Sequence, residues 1–190
     1  MKNQTGMMLI EALVSLVIAA IALLGTVTLM AKSTRSEMES YQRVQALTLV
    51  QDMASRINAN RQVASCYSVG ASKTNPTGPT GYSTTSAPTP CTSGSPIQNA
   101  TVASDLAAWQ NALLGSSETS GSNKVGAMIG AVGCITQIDP TNQIYQVSVA
   151  WQGLMSTATP KLLCGSGTLG NNNLQRVISV QIQIANLTTT

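Results

Sequence analysis

Histidine and phenylalanine are absent from this chain, and charged residues make up only 9% of its 190 positions. Without histidine there is no Ser-His or Cys-His pair, which closes the commonest routes to an activated nucleophile. No glycine-rich loop ends in Gly-Lys-Ser or Gly-Lys-Thr, so that kind of phosphate cradle is missing as well. Past the first thirty residues the carboxylates are Glu37, Glu39, Asp52, Asp105, Glu118 and Asp139. They form no evident acid–base pair, and Glu37 and Glu39, two residues apart, do not share a helix face. We therefore expect no enzyme, no catalytic residue and no cofactor. A zinc site would lack both histidine and a Cys-x-x-Cys pair, so no metal is expected. Aromatic residues are 3% of the chain and the net charge of +3 is dispersed, without a basic run. Nucleic acid is accordingly not an expected partner.

What the chain does have is one long apolar run. Residues 7–31 read MMLIEALVSLVIAAIALLGTVTLMA and contain a single charge, Glu11. Twenty residues separate Glu11 from the next charge, Lys32, about the number a helix needs to cross a bilayer core. A six-residue polar leader, MKNQTG, precedes the run. An ordinary secretory signal carries its small-residue cleavage site after the apolar segment. Here the candidate site, Gly6, lies before it, so the apolar helix survives processing. An ionisable group inside a membrane span is costly, by roughly 2.5 to 3.5 kcal/mol at mid-helix, and is functional by default. The positive-inside rule is ambiguous, because Lys2 precedes the run while Lys32 and Arg35 follow it.

The helix is expected to continue past the membrane. No proline or glycine occurs from Lys32 to about Val63. Apolar residues recur at Met38, Tyr41, Val44, Leu47, Val50, Ala54 and Ile57, in steps of three and four that mark one helical face. Gly25, beside Thr26 and Thr28, is the expected place for a bend. Residues 68–100 hold five of the seven prolines among many Ser, Thr and Gly, which reads as a long surface excursion. A short helix follows, with Ser104 as its cap, Gly115 at its end, and Leu106, Trp109, Leu113 and Leu114 near one face. The remainder reads as three strands: residues 125–138, residues 143–151 with Tyr145, Val147, Val149 and Trp151 on one side, and residues 174–187 with Ile178, Val180, Ile182 and Ile184 inward. The Asp139-Pro140-Thr141-Asn142 turn separates the first two. An antiparallel sheet with one solvated face, covered on the other by the 41–57 helical face, gives an α+β fold.

Four cysteines, Cys66, Cys91, Cys134 and Cys164, all follow the apolar run. An even count in an exported domain implies two disulfides, with three connectivities open. Nearest-neighbour pairing, Cys66 with Cys91 and Cys134 with Cys164, is the expected one, and the first pair would brace the proline-rich insert.

The leader and the apolar run resemble the class III signal of type IV pilins and pseudopilins. In that family a prepilin peptidase cuts after the glycine, Gly6 here, and the new N-terminal residue, Met7, is methylated. A glutamate is the fifth residue of the mature chain, which counting from Met7 is Glu11. Met7 departs from the usual phenylalanine, and the lack of proline before Pro76 departs from the family's kinked helix. Later stretches are similar to PilV-type minor pilins, also called type IV pilus modification proteins. These are QALTLVQDMASRINANR at residues 45–61, the Asp105-Leu-x-x-Trp109 helix, the Val147-x-Val-x-Trp151 strand and Arg176-Val177 at the start of the last strand.

The resemblance implies a pilin-like fold divided into a leader at 1–6, a transmembrane and assembly half of the helix at 7–31, and a periplasmic head at 32–190 that includes the amphipathic half. It implies a single-pass protein of the bacterial inner membrane that passes to the pilus, at its tip or in low abundance. The implied function is that of a minor pilin in a priming or tip complex that initiates pilus assembly, with Glu11 meeting a neighbour's N-terminus. Implied partners are other minor pilins, the major pilin, the inner-membrane assembly platform, and prepilin peptidase acting on it as substrate. A pseudopilin of a type II secretion system and a tip-located adhesion subunit are the alternatives.

Overall fold

The computed structural model describes residues 5–68, 91–115, 119–121, 123–124, 128–166 and 169–185. Outside them lie the leader up to Gln4 with Lys2, residues 69–90 of the proline-rich insert, Glu118, the expected strand start at 125–127 and the expected strand end beyond 185. The architecture is α+β, with a long N-terminal helix, a second helix and a three-stranded antiparallel sheet. The chain divides into two compact units, Met1–Ser40 and Tyr41–Thr190.

The first unit is the leading part of helix α1, which spans Thr5–Ala59. Its hydroxyls turn back on the helix. Ser15, Thr26 and Thr28 donate to the carbonyls of Glu11, Leu23 and Gly25 at 2.7 to 2.8 Å. Each hydroxyl within the apolar run is therefore satisfied without water. The helix passes Gly25 without interruption.

In the second unit α1 buries a narrower stripe than expected. Ala46, Val50, Met53 and Ile57 are fully buried and Gln42 nearly so. Tyr41 and Val44, expected inward, are 61% and 62% exposed, and Met38 and Leu47 are exposed too. At 100° per residue, Val44 lies roughly 160° around the helix from Ala46. The stripe that packs contains a glutamine and a small alanine, so the larger apolar residues on the far side dominate the sequence pattern. The α-helix also ends earlier than Val63. After Asn60 the chain tightens into a 3-10 helix at Arg61–Tyr67, and Val63 leaves helical geometry. Val63, Ala64 and Tyr67 are buried, and Cys66 is bonded to Cys91 with Cα atoms 5.6 Å apart.

Helix α2 spans Pro96–Leu113 and begins well before Ser104. Ser95 is its cap: its hydroxyl accepts from the Gln98 N–H, while the Gln98 side chain accepts from the Ser95 N–H. Pro96 occupies the first helical position, where a missing N–H costs nothing. The helix thus reclaims the last residues assigned to the insert. Leu106, Trp109 and Leu113 face inward, and Leu114 is exposed.

A two-residue pair, β1 (Thr119–Ser120) with β2 (Asn123–Lys124), precedes the main sheet. The main sheet has the order β3-β4-β5, with β3 at Ile129–Asp139, β4 at Ile144–Gln152 and β5 at Gln175–Gln183. The β3–β4 turn is closed by Asp139, whose carboxylate accepts from the Thr141 and Asn142 N–H groups at 2.9 and 3.1 Å. On one face Tyr145, Val147, Val149 and Trp151 join the buried stripe of α1 and Val102, Leu106 and Trp109 of α2 in the main core. The opposite face is not simply solvated. Val132, Cys134, Ala150, Cys164 and Leu169 form a second core, with Val177 packed against it. The chain between β4 and β5 folds over that face, and the Cys134–Cys164 bond fastens it there, Cα atoms 5.9 Å apart. Inside it, Arg176 donates to the Met155 carbonyl and the Thr157 hydroxyl at 2.6 and 2.7 Å.

Candidate functional site

The most distinctive chemistry of the first unit is exposed hydrocarbon. Thirteen large apolar side chains between Leu9 and Met30 are each more than half exposed. Burying such a side chain is worth about 1.5 to 3 kcal/mol, so together they represent on the order of 20 kcal/mol or more. That exceeds the roughly 5 to 15 kcal/mol that stabilises a whole domain. Such a surface is suited to lipid or to packing against other apolar helices, and α1 is long and apolar enough to cross a membrane. Gly6 and Met7 lie in the first helical turns and Glu11 one turn later. The Glu11 side chain is exposed and makes no ion pair with a described residue.

The second unit is held by a polar joint that the sequence reading missed. Arg56 on α1 donates to Asp52 one turn earlier and to Asp105 on α2, both at 2.9 Å. These two carboxylates, Asp52 first, hold the Arg56 guanidinium above its ordinary pKa. The other oxygen of Asp105 accepts from the Tyr67 hydroxyl at 2.6 Å. Asn60 donates to the Tyr67 oxygen at 3.4 Å and to the Gln98 carbonyl at 3.1 Å. Burial first, and then the bond to Asp105, push the Tyr67 phenol well above its ordinary range. The joint ties α1, the 3-10 turn and α2 together around a single carboxylate. The Asp52–Arg56 spacing of four was a readable signal; the Asp105 partner, 49 residues from Arg56, was not. Nothing in this cluster presents a nucleophile, and among the described residues no group of three or more His, Cys, Asp or Glu could hold a metal ion.

Trp109 completes the packing. Its indole N–H donates to the Leu49 carbonyl at 2.9 Å, and its ring lies over Gly133 of β3. The expected site residues thus separate into two sets. Gly6, Met7 and Glu11 gather at the start of α1, and the four cysteines staple the second unit.

Residues 28–109 match the family model described as Tt1218-like, Type IV pilin Tt1218. The matched stretch starts beyond Glu11 and ends at Trp109, taking in most of α1, the insert and much of α2. The match supports a type IV pilin family and a pilin role. No curated protein and no solved structure matches the chain.

Proposed function

We propose that this protein is a minor type IV pilin, a low-abundance subunit that joins other minor pilins in the complex that starts a pilus. The pilin match over residues 28–109 carries this reading. The uncovered apolar length of α1 supports it, because such a surface serves first as a membrane anchor and then as packing between subunits. In this reading the leader stays in the cytoplasm, and residues 32–190 form the periplasmic head of a single-pass inner-membrane protein. Prepilin peptidase cuts between Gly6 and Met7, and Met7 becomes the methylated N-terminus. The assembly platform then extracts the subunit beside the major pilin.

The two disulfides suit a head that works outside the reducing cytoplasm. Deleting the gene and counting surface pili tests the role. Loss of pili with normal levels of major pilin, restored by the wild-type copy, is the expected result. N-terminal sequencing of the protein from sheared pili should begin at Met7. Unchanged pilus number, or a protein found only in secretion complexes, would reject the minor-pilin reading.

A further inference from the structure

The two disulfides close loops of similar size, with separations of 25 and 30 residues, but they lie in different surroundings. Cys134 and Cys164 are 4% and 5% exposed inside the second core. Cys66 and Cys91 are only partly buried. Cys66 packs against the margin of the main core from the 3-10 turn, and Cys91 belongs to neither core. Thiol–disulfide exchange needs a thiolate to reach one of the two sulfurs, so access decides which bond exchanges.

The two halves of the accessible bridge are also held in place without it. Cys66 lies between buried Ala64 and Tyr67, and the Tyr67 hydroxyl is bonded to Asp105. On the other side the Asn99 side chain donates to the Cys91 carbonyl at 2.8 Å. The Gln98 side chain donates to that of Gln62 at 2.6 Å, and the Gln98 carbonyl accepts from Asn60 at 3.1 Å. Gly94, at φ +80°, brings its backbone so close to Val63 that a Cβ there would overlap it. These contacts join the start of α2 to the 3-10 turn and use neither sulfur. The bond can therefore open without the flanking chain separating, and the two thiols stay within reach of each other.

We propose that Cys66–Cys91 is an exchangeable bridge, opened and re-formed by external dithiols while the head stays folded, and that Cys134–Cys164 is a permanent one. One thiolate of the dithiol attacks the Cys91 sulfur, the one that belongs to neither core. The Sγ–Sγ bond breaks, and Cys66 leaves as a thiolate that takes a proton from water. The Ser93 carbonyl oxygen lies 4.0 Å from the Cys66 Sγ, placed to accept from the new S–H. The second thiolate of the dithiol then displaces Cys91, which is protonated in turn. The head gains two electrons and two protons, the dithiol ends as a disulfide, and the reverse sequence restores the bridge. The two states differ in whether the ends of the proline-rich insert are covalently joined. The thiol poise around the head sets that state and leaves both cores as they are. The device belongs to the head alone and does not depend on the pilin reading.

The test uses the full oxidised chain in mild detergent, with dithiothreitol as the probe. Samples are quenched with iodoacetamide at intervals, and peptide mapping locates the alkylated cysteines. Cys66 and Cys91 should open at least ten times faster than Cys134 and Cys164. When the first pair is fully open, the near-UV circular dichroism of Trp109 and Trp151, each 2% exposed in the main core, should be unchanged. Exchanging dithiothreitol for oxidised glutathione at that point should restore Cys66–Cys91 and form no other pair. Equal opening rates for the two bridges, loss of the near-UV signal as the first one opens, or re-oxidation to scrambled pairs would each overturn the proposal.

Discussion

Gly133 and Tyr67 show how single positions carry the head. A Cβ at Gly133 would fall onto the ring of Trp109, itself 2% exposed and tethered to the Leu49 carbonyl. Neither ring nor strand has room to yield, so Gly133→Ala should destabilise the protein by about 1 to 3 kcal/mol. A lower urea midpoint at unchanged slope would record it, and the loss should shrink when Trp109→Phe is introduced as well. Tyr67 gives a pH dependence. Its phenol is neutral in the fold, and burial followed by the Asp105 hydrogen bond raises its pKa above the ordinary 10.0. A raised folded pKa means that the stabilisation is complete below about pH 10 and fades as pH rises through the folded value. Tyr67→Phe should therefore lose about 1 to 2 kcal/mol at neutral pH and show a shallower decline above pH 10. Some decline remains, because burial raises Tyr145 as well. Urea titrations at pH 7, 10 and 11 decide it; parallel declines in both proteins would remove Tyr67 from the account.

At the scale of elements, α2 depends on its cap. Ser95→Ala removes the hydroxyl that accepts from Gln98 and should cost about 1 kcal/mol, whereas Ser104→Ala, in mid-helix, should change stability far less. Comparing the two urea midpoints separates these starts of the helix. Both positions bear on what could be read from sequence. Ser95-Pro96-Ile97-Gln98 is a legible capping signal, yet prolines and small residues on its N-terminal side draw it into the insert. The strand at residues 144–152 was legible because its alternation, Tyr145, Val147, Val149 and Trp151, coincides with full burial on one face. Its other face was misread as solvated, because Ser148 and Ala150 are small and give no apolar signal although both are buried. The α1 stripe was legible at Val50, Ala54 and Ile57, which are buried, but its first half was misread for the same reason, since Gln42 and Ala46 pack while the larger Tyr41 and Val44 do not. The bonded cysteines are nearest neighbours in sequence, so short loop closure was a usable guide. The Arg56–Asp105 contact, made between different helices, has no local pattern to announce it. For the assembly residues, the leader, Gly6, Met7 and Glu11 were visible as a pattern of charge and hydropathy. The roles proposed for them involve other molecules, which a single chain does not display.

For the whole molecule, the decisive question is what Glu11 does when subunits meet. It stands four residues after Met7, one helical turn from the amine that cleavage at Gly6 would create. A buried carboxylate without a partner is unfavourable, and an amine from a neighbouring subunit would offset that cost while selecting one stagger between otherwise smooth apolar helices. Glu11→Ala should therefore separate anchoring from assembly. Membrane insertion should become easier, because a charged group leaves the span. The head should keep its urea midpoint, since its cores and joint are built from residues 42 onward. Cleavage after Gly6 should persist, while incorporation should fall severalfold or more. Two quantities are to be measured together: processed protein in the membrane fraction, and protein in sheared pili or in pull-downs with other minor pilins. A normal first value with a reduced second supports charge pairing as the source of register. Equal incorporation of variant and wild type would assign the register instead to the apolar packing of α1 or to contacts of the head.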